Sequence, residues 1–143
     1  MQRAVMLSPE WRLLLRACTS AGVTDADVAS SHSAEPSFDW PGLVKTASQH
    51  DIGPLLYHAL RGRLVPGDAA RAAMAVVEAQ YYATGLRNAL LDRELHRLLD
   101  DWRSAGVPAI VLKGAALTAT AYRNPALRPM RDLDILVHRP DLS

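Results

Sequence analysis

Asp132 and Asp134 stand one residue apart in the stretch RPMRDLDILV, residues 128–137. Aspartate alternates there with Leu133, Ile135 and Val137, which predicts a strand. Its two carboxylates would share one face, and the apolar side chains would mostly take the other. Alternate residues on a strand have Cα atoms roughly 6.5–7 Å apart, so the carboxylate oxygens can converge on one or two divalent cations. Mg²⁺ favours this kind of site, with few carboxylates completed by water and substrate phosphates. Two such ions about 3.5–4 Å apart would activate an attacking hydroxyl and steady a leaving pyrophosphate. In isolation the pair has a plainer reading: Asp132 caps a loop, and Asp134 lies on a solvated strand face.

The neighbours favour the chemical reading. The run AIVL, Ala109 to Leu112, suits a buried strand. Lys113 and Gly114 follow at once, and AALTATAY then suits a helix. A helix start carries unpaired N–H groups and partial positive charge, glycine lets a phosphate come close to backbone, and Lys113 adds a mobile cation. The segment has neither the further glycines of a P-loop nor those of a dinucleotide-binding turn. Next comes RNPALRPMR, a loop with two prolines and the positive charges of Arg123, Arg128 and Arg131. A glycine turn at a helix start, an arginine-rich loop and an acidic strand together resemble a nucleoside triphosphate site.

The elements that must position these groups begin with helices. Ser8, Pro9 and Glu10 form a helix start, and Gly22 is its expected end. Residues 30–42 read as a loop, a helix runs from about Pro41 to His50, and Gly53-Pro54 begins another. After the turn at Pro66-Gly67, with Asp68 as the expected cap, there is no proline up to Ala105. Met74, Val77, Tyr81, Leu91, Leu95, Leu98 and Trp102 keep 3-and-4 spacing. This predicts one amphipathic helix of about 55 Å, or two with a bend near Gly85.

Net charge is +1, which gives no bulk field for nucleic acid or an anionic membrane. An apolar share of 49% and a charged share of 22% are those of a globular chain able to bury a core. No apolar run approaches the roughly 20 residues that span a bilayer, and the first residues have no signal-peptide pattern. The lone Cys18, set in an apolar helix, reads as a buried inert thiol of a reducing compartment. A cytoplasmic location is expected. His32, His50, His58, His96 and His138 are scattered, none at a metal-ligand spacing, and read as surface or capping residues.

The stretch VPAIVLKGAALTATAYRNPALRPMRDLDILV resembles the core motif of the uncharacterised nucleotidyltransferase family, a bacterial branch of the DNA polymerase β-like superfamily. The motif's elements are met by Leu112-Lys113-Gly114, Tyr122, Pro125, Arg128-Pro129, Asp132 and Asp134. HDIGPLLYHAL, residues 50–60, is similar to the stretch that precedes the core in that family. The resemblance implies an α+β fold, mostly α: a helical domain at 1–106, then at 107–143 the first strand-helix-strand of a polymerase β-like nucleotidyltransferase core. It implies transfer of a nucleoside monophosphate from an NTP to an unknown acceptor, with Mg²⁺ or Mn²⁺ and release of pyrophosphate. Asp132 and Asp134 would be the catalytic metal ligands. Gly114 and Ala115, at the helix start, would meet the phosphates, with Lys113, Arg128 and Arg131 stabilising their charge.

Two departures stand out. The superfamily's usual Gly-Ser turn is Gly114-Ala115 here, so no hydroxyl is offered. A third carboxylate normally stands on a later strand, whereas the acid after Asp134 is Asp141, in HRPDLS, which reads as a turn. Two strands alone do not make a stable sheet. The chain is therefore expected to be the front portion of a longer enzyme, or to have its sheet covered by a second copy or a partner polypeptide. No membrane and no DNA partner is expected. Two alternatives stay open: a catalytically inactive NTP-binding remnant, and a helical protein-interaction module in which the acidic strand is incidental.

Overall fold

A computed structural model describes residues 7–19, 38–63, 67–122 and 124–138. The expected helix end at Gly22, residues 30–37 of the expected loop, His32, Pro66, Arg123 and Asp141 lie outside them. The described residues fall into two compact units, divided between Tyr81 and Tyr82.

The first unit is helical: α1 (Pro9–Ala17), α2 (Trp40–Gln49), α3 (Gly53–Leu60) and the opening part of α4 (Asp68–Ser104). Ser8 caps α1, its hydroxyl accepting from the N–H of Trp11. Asp39 caps α2, its carboxylate accepting from the N–H of Gly42 at 2.8 Å. A side chain at Gly42 would collide with that carboxylate, so this glycine is what admits the cap. Leu13, Leu14, Leu43, Leu56, Leu60 and Val77 make the core. Cys18 is exposed, which corrects the expectation of a buried thiol. It follows the last turn of a nine-residue helix as its C-cap, where the side chain has left the buried face. Desolvation still pushes its thiol up, away from thiolate.

Helix α4 runs unbroken for 37 residues, so there is one helix and not two. Gly85 interrupts nothing. It faces Ala126, whose Cβ would lie 3.2 Å from a side chain placed there.

The second unit holds the rest of α4, then β1 (Ala109–Val111), α5 (Lys113–Thr120), a 3₁₀ turn (Pro125–Leu127) and β2 (Ile135–Val137). The chain is thus mostly α with one small sheet, the α+β class expected. The strands pair antiparallel, Ala109 opposite Val137 and Val111 opposite Ile135. The ladder reaches one step further, the N–H of Leu112 donating to the carbonyl of Asp134 at 2.9 Å. It stops there because Lys113 turns away into α5 with φ at +48°. The strands are therefore shorter than the 109–112 and 132–137 expected, and the aspartates lie in the extended segment leading into β2. The inner sheet face packs Val111, Leu133 and Ile135 against Leu91, Leu95 and Leu99 of α4, with Ala115 and Met130. On the outer face Ile110 and Leu136, paired in register, remain 60% and 54% exposed.

Among the described residues no helix is long and apolar enough to cross a membrane.

Candidate active site

The turn between β1 and α5 builds one wall of the site. Lys113 takes the left-handed backbone conformation, which among non-glycine described residues only Asp51 shares. Of the dipeptide Lys113-Gly114 it is Lys113 that bears the unusual φ. Gly114 serves closeness instead: a Cβ there would sit 3.1 Å from Cγ and 3.2 Å from Sδ of Met130. The absence of a side chain lets the first turn of α5 lie against the loop that carries Arg128 and Met130. Ala115 is buried beneath the same turn. Thr118 braces it from within, its hydroxyl donating to the carbonyl of Gly114 at 2.8 Å.

The second wall is the loop from Asn124 to Asp134. Asn124 starts its 3₁₀ turn by accepting from the N–H of Ala126. The loop is held to α4 by Asn88, which is 1% exposed. The side-chain amide of Asn88 donates to the carbonyl of Pro125 at 2.6 Å and to that of Arg128 at 2.7 Å. Sequence reasoning missed this residue. Its signal was present: Val77, Tyr81, Thr84, Asn88, Leu91 and Leu95 follow alternating steps of four and three along α4. An asparagine on such a stripe, poorly suited to a helix interior, must find polar partners off its own helix.

Arg128 crosses from this loop toward α5. Its guanidinium lies over the Tyr122 ring, 5.9 Å from the centroid. Its Nε is buried and has no hydrogen-bond partner. A Cβ on Gly114 would come within 3.9 Å of that nitrogen, so Arg128 runs past the start of α5. Arg131 is exposed further along.

Leu133, between the two aspartates, packs against the core cluster, while Asp132 is exposed and Asp134 half-buried. Asp134 Oδ1 accepts from Lys113 Nζ at 2.7 Å. The hydrogen bond to Asp134 comes first in holding the Lys113 ammonium above the usual lysine range, and the charge of Asp132 adds to it. Both carboxylates therefore act on one ammonium at the mouth of α5. The structure brings Asp134 to Lys113 and Arg128 past Gly114, both at the first turn of α5.

A divalent cation fits this pair in kind. Mg²⁺ needs one or two carboxylates with water and phosphate for the rest, and a cation, the Lys113 ammonium, already stands against Asp134. Among the described residues no three or more His, Cys, Asp or Glu side chains gather into a metal-holding group. A third carboxylate is thus not supplied by those residues.

A strand–turn–helix with a lysine–aspartate ion pair at the helix's first turn is what fold and site define. The family model of uncharacterised nucleotidyltransferases matches residues 36–143. The chain belongs to that family. No curated protein and no solved structure matches it.

Proposed function

We propose that this chain binds a nucleoside triphosphate together with Mg²⁺ or Mn²⁺ and transfers the nucleoside monophosphate to an acceptor. The acceptor's nucleophile attacks the α-phosphorus, the bond from that phosphorus to the bridging oxygen breaks, and pyrophosphate leaves with the electron pair. The observation that carries this reading is the ion pair of Asp134 with the Lys113 ammonium beside the first turn of α5, with Asp132 two residues before Asp134.

Asp132 and Asp134 are the residues that would hold the cation, which when bound neutralises phosphoryl charge and polarises the reacting oxygens. The first turn of α5, at Gly114 and Ala115, offers N–H groups to phosphate oxygens. Lys113, Arg128 and Arg131 supply positive charge where the triphosphate and the departing pyrophosphate carry theirs. The hold of Tyr122 on the Arg128 guanidinium and of Asn88 on its carbonyl supports this role.

In this reading residues 107–143 are the opening strand-helix-strand of the nucleotidyltransferase core, and residues 1–106 are a helical domain in front of it. The third carboxylate comes from outside the described residues. The exposed outer sheet face at Ile110 and Leu136 is covered by a second copy of the chain or by a partner polypeptide. The enzyme works in the cytoplasm.

The test is a thermal-shift screen of the four NTPs with and without Mg²⁺, followed by an assay for pyrophosphate release. Stabilisation by NTP that needs Mg²⁺, and its loss in Asp132→Asn plus Asp134→Asn, is expected. Stabilisation without release under any acceptor would leave the inactive NTP-binding reading. No stabilisation by any NTP would end both.

A further inference from the structure

We propose that Lys113 is a built-in competitor for the divalent cation at Asp134. The ammonium and the cation would hold the same carboxylate in turn, and the cation's arrival would release the ammonium toward the triphosphate. The proposal rests on the metal-site reading above and adds a control to it.

The geometry points this way in three respects. Asp134 Oδ1, an oxygen a cation would use, is taken up by Lys113 Nζ at 2.7 Å. A divalent ion placed on the pair would meet a positive charge at contact range, so one must yield. Lys113 is the one able to move: its side chain is 69% exposed, whereas Asp134 is 29% exposed and its backbone is fixed by the ladder bond to Leu112. The direction in which Lys113 can swing is set by its backbone. With φ at +48° it leaves the sheet and opens α5, so the same side chain that reaches Asp134 springs from the helix mouth. A lysine on an ordinary strand residue would not stand at both places.

A left-handed conformation at a non-glycine residue is unfavourable, and glycine would relieve it. Lysine at this position thus accepts backbone strain where the ammonium has use. The consequence is coupling. Without nucleotide, the ammonium shields Asp134 and holds off the cation. With nucleotide, the triphosphate offers the ammonium a better partner, and cation and nucleotide bind more tightly together than either does alone. Asp132 belongs to the same balance, since its charge also acts on the ammonium.

The experiment is titration of the full chain with Mn²⁺ in the absence of nucleotide, free Mn²⁺ being followed by its electron paramagnetic resonance signal. The proteins are the native chain, Lys113→Met, Lys113→Gln, Lys113→Arg and the double variant Asp132→Asn plus Asp134→Asn. A unit charge about 5 Å from a divalent ion in water-like surroundings changes affinity on the order of tenfold. Lys113→Met and Lys113→Gln should therefore bind Mn²⁺ about tenfold more tightly than the native chain, and Lys113→Arg should stay near it. Addition of a non-hydrolysable NTP analogue should tighten Mn²⁺ binding in the native chain more than in Lys113→Met. Equal Mn²⁺ affinity in the native chain, Lys113→Met and Lys113→Gln, with binding abolished in the double aspartate variant, would overturn the competition while leaving the metal site standing. Mn²⁺ binding unaffected by the double aspartate variant would overturn the metal-site reading itself and the competition with it.

Discussion

Replacing Asn88 with alanine should loosen the loop that carries Arg128 and Asp132 while leaving α4 helical. The side chain is almost fully buried and makes two donor contacts, 2.6 Å to Pro125 and 2.7 Å to Arg128. A net contribution of about 1 kcal/mol for each hydrogen bond, with two carbonyls then left without their donor, gives a loss of about 2–4 kcal/mol. Alanine is the better helix former, which returns about 0.5 kcal/mol. The net expectation is about 2–3 kcal/mol, enough to appear in a urea titration of the second unit. The local signature is more telling. Hydrogen exchange of the amides from 124 to 132 should quicken by one to two orders of magnitude, about what 2–3 kcal/mol converts to when local opening limits exchange. Amides of α2 and α3 should not change. Asn88→Asp should be worse, because it sets a carboxylate oxygen against two carbonyl oxygens inside the protein. A neutral Asn88→Ala, with exchange of 124–132 unaltered, would refute the clamp and with it the placing of Arg128.

Gly114→Ala should destabilise by about 1 kcal/mol, since the new methyl meets Cγ and Sδ of Met130, a flexible neighbour that can give way. The loss in urea unfolding should shrink when Met130 is replaced by alanine in the same chain, and an additive pair would speak against that contact. Acidification should weaken the first unit through His58. Burial foremost, and then the charge of Arg61, hold its ring below the ordinary histidine range. A group of depressed folded-state pKa contributes stability above its unfolded value, so the loss should begin near pH 6.5 and deepen as pH falls. His58→Gln should flatten that part of the stability profile, and an unchanged slope would contradict it. Ile110→Lys plus Leu136→Lys should abolish concentration-dependent association in sedimentation if a second copy covers the outer sheet face. Association that persists in the double variant would place the contact elsewhere.

Much of this arrangement was legible in the sequence because it is periodic or local. Helix α4 follows from a proline-free run with 3-and-4 spacing, and the inward packing of Leu133 and Ile135 follows from their alternation with the aspartates. What stayed hidden depends on partners distant in the chain. Glycine has no monopoly on left-handed backbone, so the residue that takes it at the β1–α5 turn could not be told from the dipeptide Lys113-Gly114. The ladder's end at Leu112 decides it, and that depends on β2. Gly114 reads in sequence as room for a phosphate, and its packing against Met130, 16 positions later, could not be read there. Asn88 meets Pro125 and Arg128 across 37 and 40 residues, beyond any local pattern. Cys18 sits among apolar residues in sequence, yet the helix ends at Ala17 and leaves it exposed.

Mn²⁺ added in small amounts to ¹⁵N-labelled protein broadens the amide signals nearest to where it binds. Signals of Lys113, Gly114 and residues 132–134 should fade first, and they should recover in Asp132→Asn plus Asp134→Asn. First losses at another acidic patch, such as Asp100 and Asp101 on α4, with the 113 and 132–134 signals intact, would contradict a cation site at this aspartate pair.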